Sequence, residues 1–236
     1  MVDFKHIYDQ EASAYHRMIA AEDVDGNLLP AIERIVAPSG KRVLDLGTGT
    51  GRIPLLLREH AAQLVGLDLH MGMLCENAGQ RRSVSGGWRL VQGDMRALPF
   101  AKGWADVVIA GWAIGHLRSW FEEDWQARIG QVLDEMHRVV KAGGALITLE
   151  TLSTGSLSPM PPTAELGEYY AWLEDEWGFK RQEIRTDYRF PSVEAAVEDT
   201  EFFFGSELAL SIRENGWVRL PEWTGVWGKS LGAKGD

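Results

Sequence analysis

One cysteine in 236 residues, Cys75, is too little for an internal disulfide, a four-cysteine zinc site or a Cys-x-x-Cys redox pair. That usage fits a reducing compartment, and the cytoplasm is the expected location. Basic side chains are outnumbered, 24 against 34 acidic, and the formal charge of -10 opposes the attraction that drives non-specific binding to nucleic acid. Nucleic acid is therefore not an expected partner. Long apolar runs are lacking as well: the longest stretch, Ala105 to Leu117, is interrupted by Asp106, Gly111 and Gly115 and is too short to cross a bilayer. The first twenty residues carry Asp3, Lys5, His6, Asp9 and Glu11 where a secretory leader has an apolar centre, so neither membrane insertion nor export is expected. The six histidines (6, 16, 60, 70, 116 and 137) include no closely spaced ligand pair, and no metal is expected.

What is present reads as one α/β domain over 1–236, with a helical lid at 1–40, a strand–helix core at 41–150 and added helices and closing strands at 151–236. Near-continuous apolar runs at 43–47, 63–69, 88–94, 105–113 and 145–150 predict five strands buried on both faces of a parallel sheet. The intervening 52–60, 71–81 and 120–140 read as helices. In the last of these, Ser119 with Glu122 resembles a capping box, and Ile129, Val132, Leu133 and Met136 recur at helical spacing. Residues 151–163, rich in serine, threonine and proline, read as a long loop. A helix over 164–177 follows, then a period-two alternation from Ile184 to Phe190 that predicts one half-exposed strand. Residues 193–215 read as helical with a break at Gly205 and a left-handed cap at Gly216, and 222–229 as the last strand.

The strongest chemical signal is Asp45-Leu-Gly47-Thr48-Gly49-Thr-Gly51, placed where a strand gives way to a helix. Glycines there allow a sharp turn and a close backbone approach to a ligand, and the helix start adds unpaired N–H groups. Arg52 stands where a dinucleotide fingerprint requires its last glycine, which disfavours a nicotinamide-dependent oxidoreductase, and no Walker-type phosphate loop is present. Asp68 ends the second strand, where its carboxylate suits two ribose hydroxyls. Asp94 and Met95 end the third, placed to accept from an exocyclic amine and to donate an N–H to a ring nitrogen. Together these strand ends describe a nucleoside.

These residues resemble the class I S-adenosylmethionine-dependent methyltransferases, and among them the small-molecule group that contains quinone-biosynthesis enzymes. VLDLGTGTGRIPLLL is similar to the family's first motif, VGLDLHMGML to its second, and LVQGDMRALPFAKGWADVVIAGWAIGHL to its third and fourth. The resemblance implies a Rossmann-like sheet of seven mainly parallel strands with the last antiparallel, and S-adenosyl-L-methionine as cofactor. By it, Asp45, Gly47, Thr48, Gly49 and Gly51 surround the methionine part, Asp68, Leu69 and Met73 the ribose side, and Asp94 and Met95 the adenine. Ala110 and Gly111 then lie near the methionyl amino group, and Tyr15 reaches the cofactor from the N-terminal helix.

Methyl transfer requires alignment, exclusion of water and, for some acceptors, removal of a proton. His116, just past the fourth strand, is the candidate base, with donation to a backbone carbonyl as its structural alternative. Tyr8, Trp112, Trp120 and Glu150 are the candidate contacts to a small-molecule acceptor. The chain lacks the N/D-P-P-F/Y motif of exocyclic-amine nucleic-acid methyltransferases and the Pro-Cys of cytosine carbon methylation. A non-catalytic module that binds the same cofactor is the alternative from another class.

Overall fold

The structure is a computed structural model and describes residues 4–232. Helices α1 (Phe4–Gln10), α2 (Ala12–Ala20) and α3 (Leu28–Ile35) come first. Strands and helices then alternate as β1 (Arg42–Leu46), α4 (Arg52–Leu57), β2 (Gln63–Asp68), α5 (Met71–Ser83), β3 (Arg89–Gln92), β4 (Ala105–Gly111), α6 (Gly115–Trp120), α7 (Trp125–Val139) and β5 (Val140–Thr154). The C-terminal part comprises α8 (Ala164–Asp175), β6 (Lys180–Arg185), β7 (Tyr188–Arg189), α9 (Val193–Phe204), α10 (Ser206–Asn215), β8 (Arg219–Leu220) and β9 (Glu222–Ser230).

Seven strands form one sheet in the order β3-β2-β1-β4-β5-β9-β6, and β9 alone runs antiparallel to its neighbours. The period-two side-chain alternation of strands sends Leu44 and Val108 into the core beneath α7 and α8, and Val43 and Val107 into the core beneath α3 and α4. Both faces are therefore covered, which is why these strands read as almost uninterrupted apolar runs. Strand order reverses at β1, between β2 and β4, so a crevice opens at their carboxyl ends. Helix α1 crosses beside that crevice, and its Tyr8 and Asp9 carbonyls come so near Gly72 of α5 that a Cβ there would lie 2.9 and 2.7 Å from them.

Several boundaries differ from the sequence expectation. The stretch 120–140 is two helices: Ser119 lies inside α6, no capping box forms, and α7 starts after Asp124, whose carboxylate accepts from Arg128 at 2.8 Å. Residues 151–154 are strand because β9 supplies partners for them, Thr151 opposite Thr224 and Thr154 opposite Glu222. The alternating run 184–190 is broken at buried Asp187, which accepts from Arg185 at 2.7 and 2.8 Å, from Arg219 at 2.7 Å and from the Glu222 N–H at 3.0 Å. That cluster turns the chain, and β7 pairs with β8 in a separate two-stranded sheet. Gly205 separates α9 from α10 and Gly216 takes the left-handed cap, as the sequence predicts. No helix among the described residues is long and apolar enough to cross a membrane.

Candidate functional site

At the carboxyl end of β1 the chain passes through Gly47 with φ +64, a backbone that side-chain-bearing residues avoid. A Cβ on Gly47 would also sit 2.4 Å from the Ala113 Cβ, so the loop and the segment after β4 touch only because this residue is glycine. Asn77 of α5 pins the loop from behind: its amide donates to the Gly49 carbonyl at 3.0 Å while its own oxygen accepts from Trp88 Nε1 at 2.8 Å. Thr48 faces that same rear side, within reach of the Asn77 amide at 3.4 Å.

In front of the loop lies a cavity of about 240 Å³. Thirteen of the residues named from the sequence line it: Tyr8, Tyr15, Gly47, Gly49, Asp68, Leu69, Met73, Asp94, Met95, Gly111, Trp112, His116 and Trp120. Five others, Asp45, Thr48, Gly51, Ala110 and Glu150, stand behind its surface. Thr48 is turned toward α5; Gly51 begins α4 and is backed by the Asn77 amide, 2.9 Å from where its Cβ would stand. Ala110 is fully buried within β4, its carbonyl accepting from the Thr148 hydroxyl at 3.1 Å. Asp45 lies beneath the loop, and Glu150 points to α6. Six further lining residues, His70, Gly93, Arg96, Ala113, Leu117 and Phe121, were not among the sequence candidates. All six neighbour a sequence candidate along the chain: His70 lies beside Asp68, Gly93 and Arg96 beside Asp94 and Met95, and Ala113, Leu117 and Phe121 directly follow Trp112, His116 and Trp120, a local signal that would have found them.

Asp68 is 6% exposed, and its two oxygens accept from the Gly49 N–H at 2.8 Å and the His70 N–H at 2.9 Å. Burial raises its pKa, and those two backbone donors oppose the rise. It thus braces the glycine loop while keeping further lone pairs beside the cavity. Asp94 is held by Arg96 in a forked pair, Nε to Oδ1 at 3.0 Å and Nη2 to Oδ2 at 2.6 Å, and the hydrogen bonds from Arg96 keep its carboxyl below the usual range. Asp45 is 1% exposed, and the Thr48 side chain is the hydrogen-bonding group beside its carboxyl. Burial pushes it up to about 8, with the neighbouring Thr48 side chain opposing and the Asp68 charge adding.

On the opposite wall Tyr8 O–H and His116 Nε2 are 2.8 Å apart. The His116 ring also bonds to the Trp112 backbone and stacks on Trp120 at 5.4 Å between centroids. Burial, with the charge of His70 in second place, lowers the His116 pKa to about 4, so the ring is neutral at pH 7. A neutral ring accepts the Tyr8 hydrogen at Nε2 and donates its other N–H to the Trp112 carbonyl. Glu150, expected at the acceptor, instead accepts from the Gly115 N–H at 2.9 Å and lies 3.4 Å from the Tyr169 hydroxyl; burial raises it to about 8. The first turn of α6 captures it because that helix start offers an unpaired N–H. Among the described residues no cluster of three metal-ligating side chains occurs.

This geometry agrees with the comparisons to known proteins. Residues 44–148 match the model of the methyltransferase domain family. The chain is 30% identical over 71% of its length to a malonyl-[acyl-carrier protein] O-methyltransferase of Legionella pneumophila, covering 56% of that protein. It is 32% identical over 59% of its length to a demethylmenaquinone methyltransferase of Thermus thermophilus, covering 57%. It therefore spans about half the length of the curated relatives it matches. In fold it is similar to a Haemonchus contortus phosphoethanolamine N-methyltransferase 2 solved with S-adenosyl-L-methionine, at TM-score 0.61, 16% identity, and coverage of 98% of this chain and 60% of that one. A methyltransferase domain thus matches 44–148, and the methyltransferases this chain is similar to support a class I S-adenosylmethionine-dependent methyltransferase. The Haemonchus contortus structure holds S-adenosyl-L-methionine, and the site here fits that cofactor: a loop with no room for a Cβ at Gly47, a buried carboxyl at Asp45, and acids at the next two strand ends.

Proposed function

We propose that this chain transfers a methyl group from S-adenosylmethionine to a small-molecule acceptor. The observation that carries this reading is the one cavity lined both by Asp68, Asp94 and Met95 and by Tyr8, His116 and Trp120, with Gly47 and Gly49 also on its surface. In it, Asp68 holds the ribose hydroxyls, Leu69 and Met73 cover the sugar, and Asp94 with Met95 brackets the adenine. Gly47, Gly49, Gly111 and Tyr15 enclose the methionine part, with Asp45 acting on it from beneath the loop. When bound, S-adenosylmethionine supplies an electrophilic methyl carbon on a sulfonium sulfur. Tyr8, Trp112 and Trp120 flatten the acceptor against the far wall and exclude water, so that the protein's main contribution is alignment.

His116 is the candidate proton acceptor, and its low pKa defines how it acts. A ring that titrates near 4 holds a proton weakly at pH 7, so Nε2 orients the acceptor's hydrogen, directly or through Tyr8, and suits acceptors that need little help to become nucleophilic. The two curated relatives are a malonyl-[acyl-carrier protein] O-methyltransferase and a demethylmenaquinone methyltransferase, and the second acts on a small molecule of the kind proposed here. Calorimetry with S-adenosylmethionine and S-adenosylhomocysteine, followed by consumption of methyl-labelled donor against a metabolite pool, tests it. Binding with acceptor-dependent loss of label is expected; binding without any transfer would leave a regulatory module as the better reading. His116→Ala is expected to lower turnover with cofactor affinity nearly unchanged, and normal turnover would leave the residue a structural role.

A further inference from the structure

Trp112 is an anomaly in the cavity wall. It stands one residue past β4 with φ +51, a left-handed backbone that a bulky aromatic residue keeps only where its surroundings hold it. Its N–H donates to the Leu149 carbonyl at 2.6 Å, and its backbone also bonds to the His116 ring. The indole itself is held by Arg52, whose guanidinium carbon lies 3.6 Å from the ring centroid. Arg52 is in turn paired with Glu22 at 2.6 Å, in a setting that leaves only 16% and 2% of the two side chains exposed. Glu22 is clamped on both sides: the Arg189 N–H donates to the Ala21 carbonyl at 2.8 Å and the Asp23 N–H to the Thr186 carbonyl at 3.2 Å.

These contacts join end to end. From the loop behind α2 they run Glu22, Arg52, Trp112, His116 and Tyr8, and so return to α1. Helix α1 and the loop behind α2 thus converge on one residue, Trp112, the first through its backbone and the second through its indole, and Arg52, which holds the indole, is the same residue that breaks the dinucleotide fingerprint. We propose that Arg52 is a positioning residue for methyl transfer: its stacked guanidinium, anchored by Glu22, fixes Trp112 as the rigid wall against which the acceptor is aligned. The inference rests on the methyl-transfer reading above. Lysine at this position would keep the charge and the pairing with Glu22 but lose the planar face, so Arg52→Lys separates stacking from ion pairing.

The test uses the full chain labelled with 5-fluorotryptophan. Of the ten tryptophan resonances, that of Trp112 is identified by its loss in Trp112→Phe. In Arg52→Lys and Arg52→Gln the Trp112 resonance is expected to shift and to broaden or split, with the resonances of tryptophans remote from the cavity unchanged. S-adenosylhomocysteine should bind to Arg52→Lys nearly as to the unaltered protein, because Trp112 is the acceptor's wall, while consumption of methyl-labelled donor against a metabolite pool should fall about three- to tenfold; unchanged transfer would overturn the proposal. If Arg52→Gln does not fold, Arg52→Lys carries the test alone. A wild-type Trp112 resonance in Arg52→Lys would overturn the proposal, as would disturbance of all ten resonances together, which marks a role in folding. Failure of the unaltered protein to bind S-adenosylhomocysteine would instead overturn the methyl-donor reading, while the fluorine spectra of the free protein would still decide whether Arg52 holds Trp112.

Discussion

The wall formed by the ends of β1, β2 and β3 and the wall formed by α1 and α6 enclose the same cavity, yet they are built differently. On the first, Gly47, Gly49, Asp68, Asp94 and Met95 each lie at a strand's carboxyl end or within three residues past it, and the main bonds join these strand-end segments: Gly49 N–H to Asp68, and Arg96 to Asp94. On the second, Tyr8 and His116 meet across 108 positions of sequence, and Tyr8, His116 and Trp120 pack ring against ring. A wall of backbone tolerates almost no added volume, whereas a wall of long side chains yields by rotation. The glycine-loop side should therefore behave as a rigid mould and the α1 side as a closure.

The contrast breaks most visibly at Gly47. Gly47→Val combines left-handed strain with a clash on Ala113 and is expected to cost about 3 kcal/mol or more in folding or cofactor binding. Thermal unfolding and calorimetry with S-adenosylhomocysteine check it, and normal binding would show that the loop is not a mould. Asp68→Ala should weaken the same ligand by roughly 1 to 3 kcal/mol through lost hydrogen bonds; an unchanged dissociation constant would remove Asp68 from the ribose. On the other side, Glu150 supports α6 as a buried carboxyl with its pKa raised from 4.5 to about 8. Between those two values the unfolded chain has released a proton that the folded chain retains, so this group's contribution to stability is lost as pH rises through the window. Glu150→Gln cannot titrate and still accepts from Gly115, so relative to the unaltered protein it should gain about 3 to 4 kcal/mol between pH 5 and pH 8 in denaturant unfolding. A difference that does not vary with pH would show that Glu150 titrates normally. The smallest effect is expected from Tyr8→Phe, which removes one hydrogen bond worth about 0.5 to 1.5 kcal/mol. Amide exchange should quicken in α1 and α2 before the sheet is affected, and unaltered exchange there would deny Tyr8 a role in closure.

Legibility in the sequence follows the same division. Strand ends and the glycine loop were readable because burial on both faces leaves near-continuous apolar runs and because a tight turn leaves glycines at fixed spacing. Ser119 and Glu122 misled because a capping box is only a local preference, and α6 ended at Trp120 with α7 restarting after Asp124. The run 184–190 misled for the opposite reason: its alternation is genuine, but Asp187 collects Arg185, Arg219 and the Glu222 N–H and so divides it between two sheets. Glu150 carried no local sign that α6 would take it, since Gly115 lies 35 positions earlier.

Residue order alone was enough for the sheet of parallel strands, the loop at Gly47 and the two acids beyond it, because each depends on neighbours within a few positions and on burial that a single chain pattern encodes. The pairing of Tyr8 with His116, the seat of Glu150 on α6 and the stack of Arg52 on Trp112 arose only on folding. Those contacts join segments tens of residues apart, and which side chain meets which depends on how helices pack over the sheet edge, a property that no local pattern records.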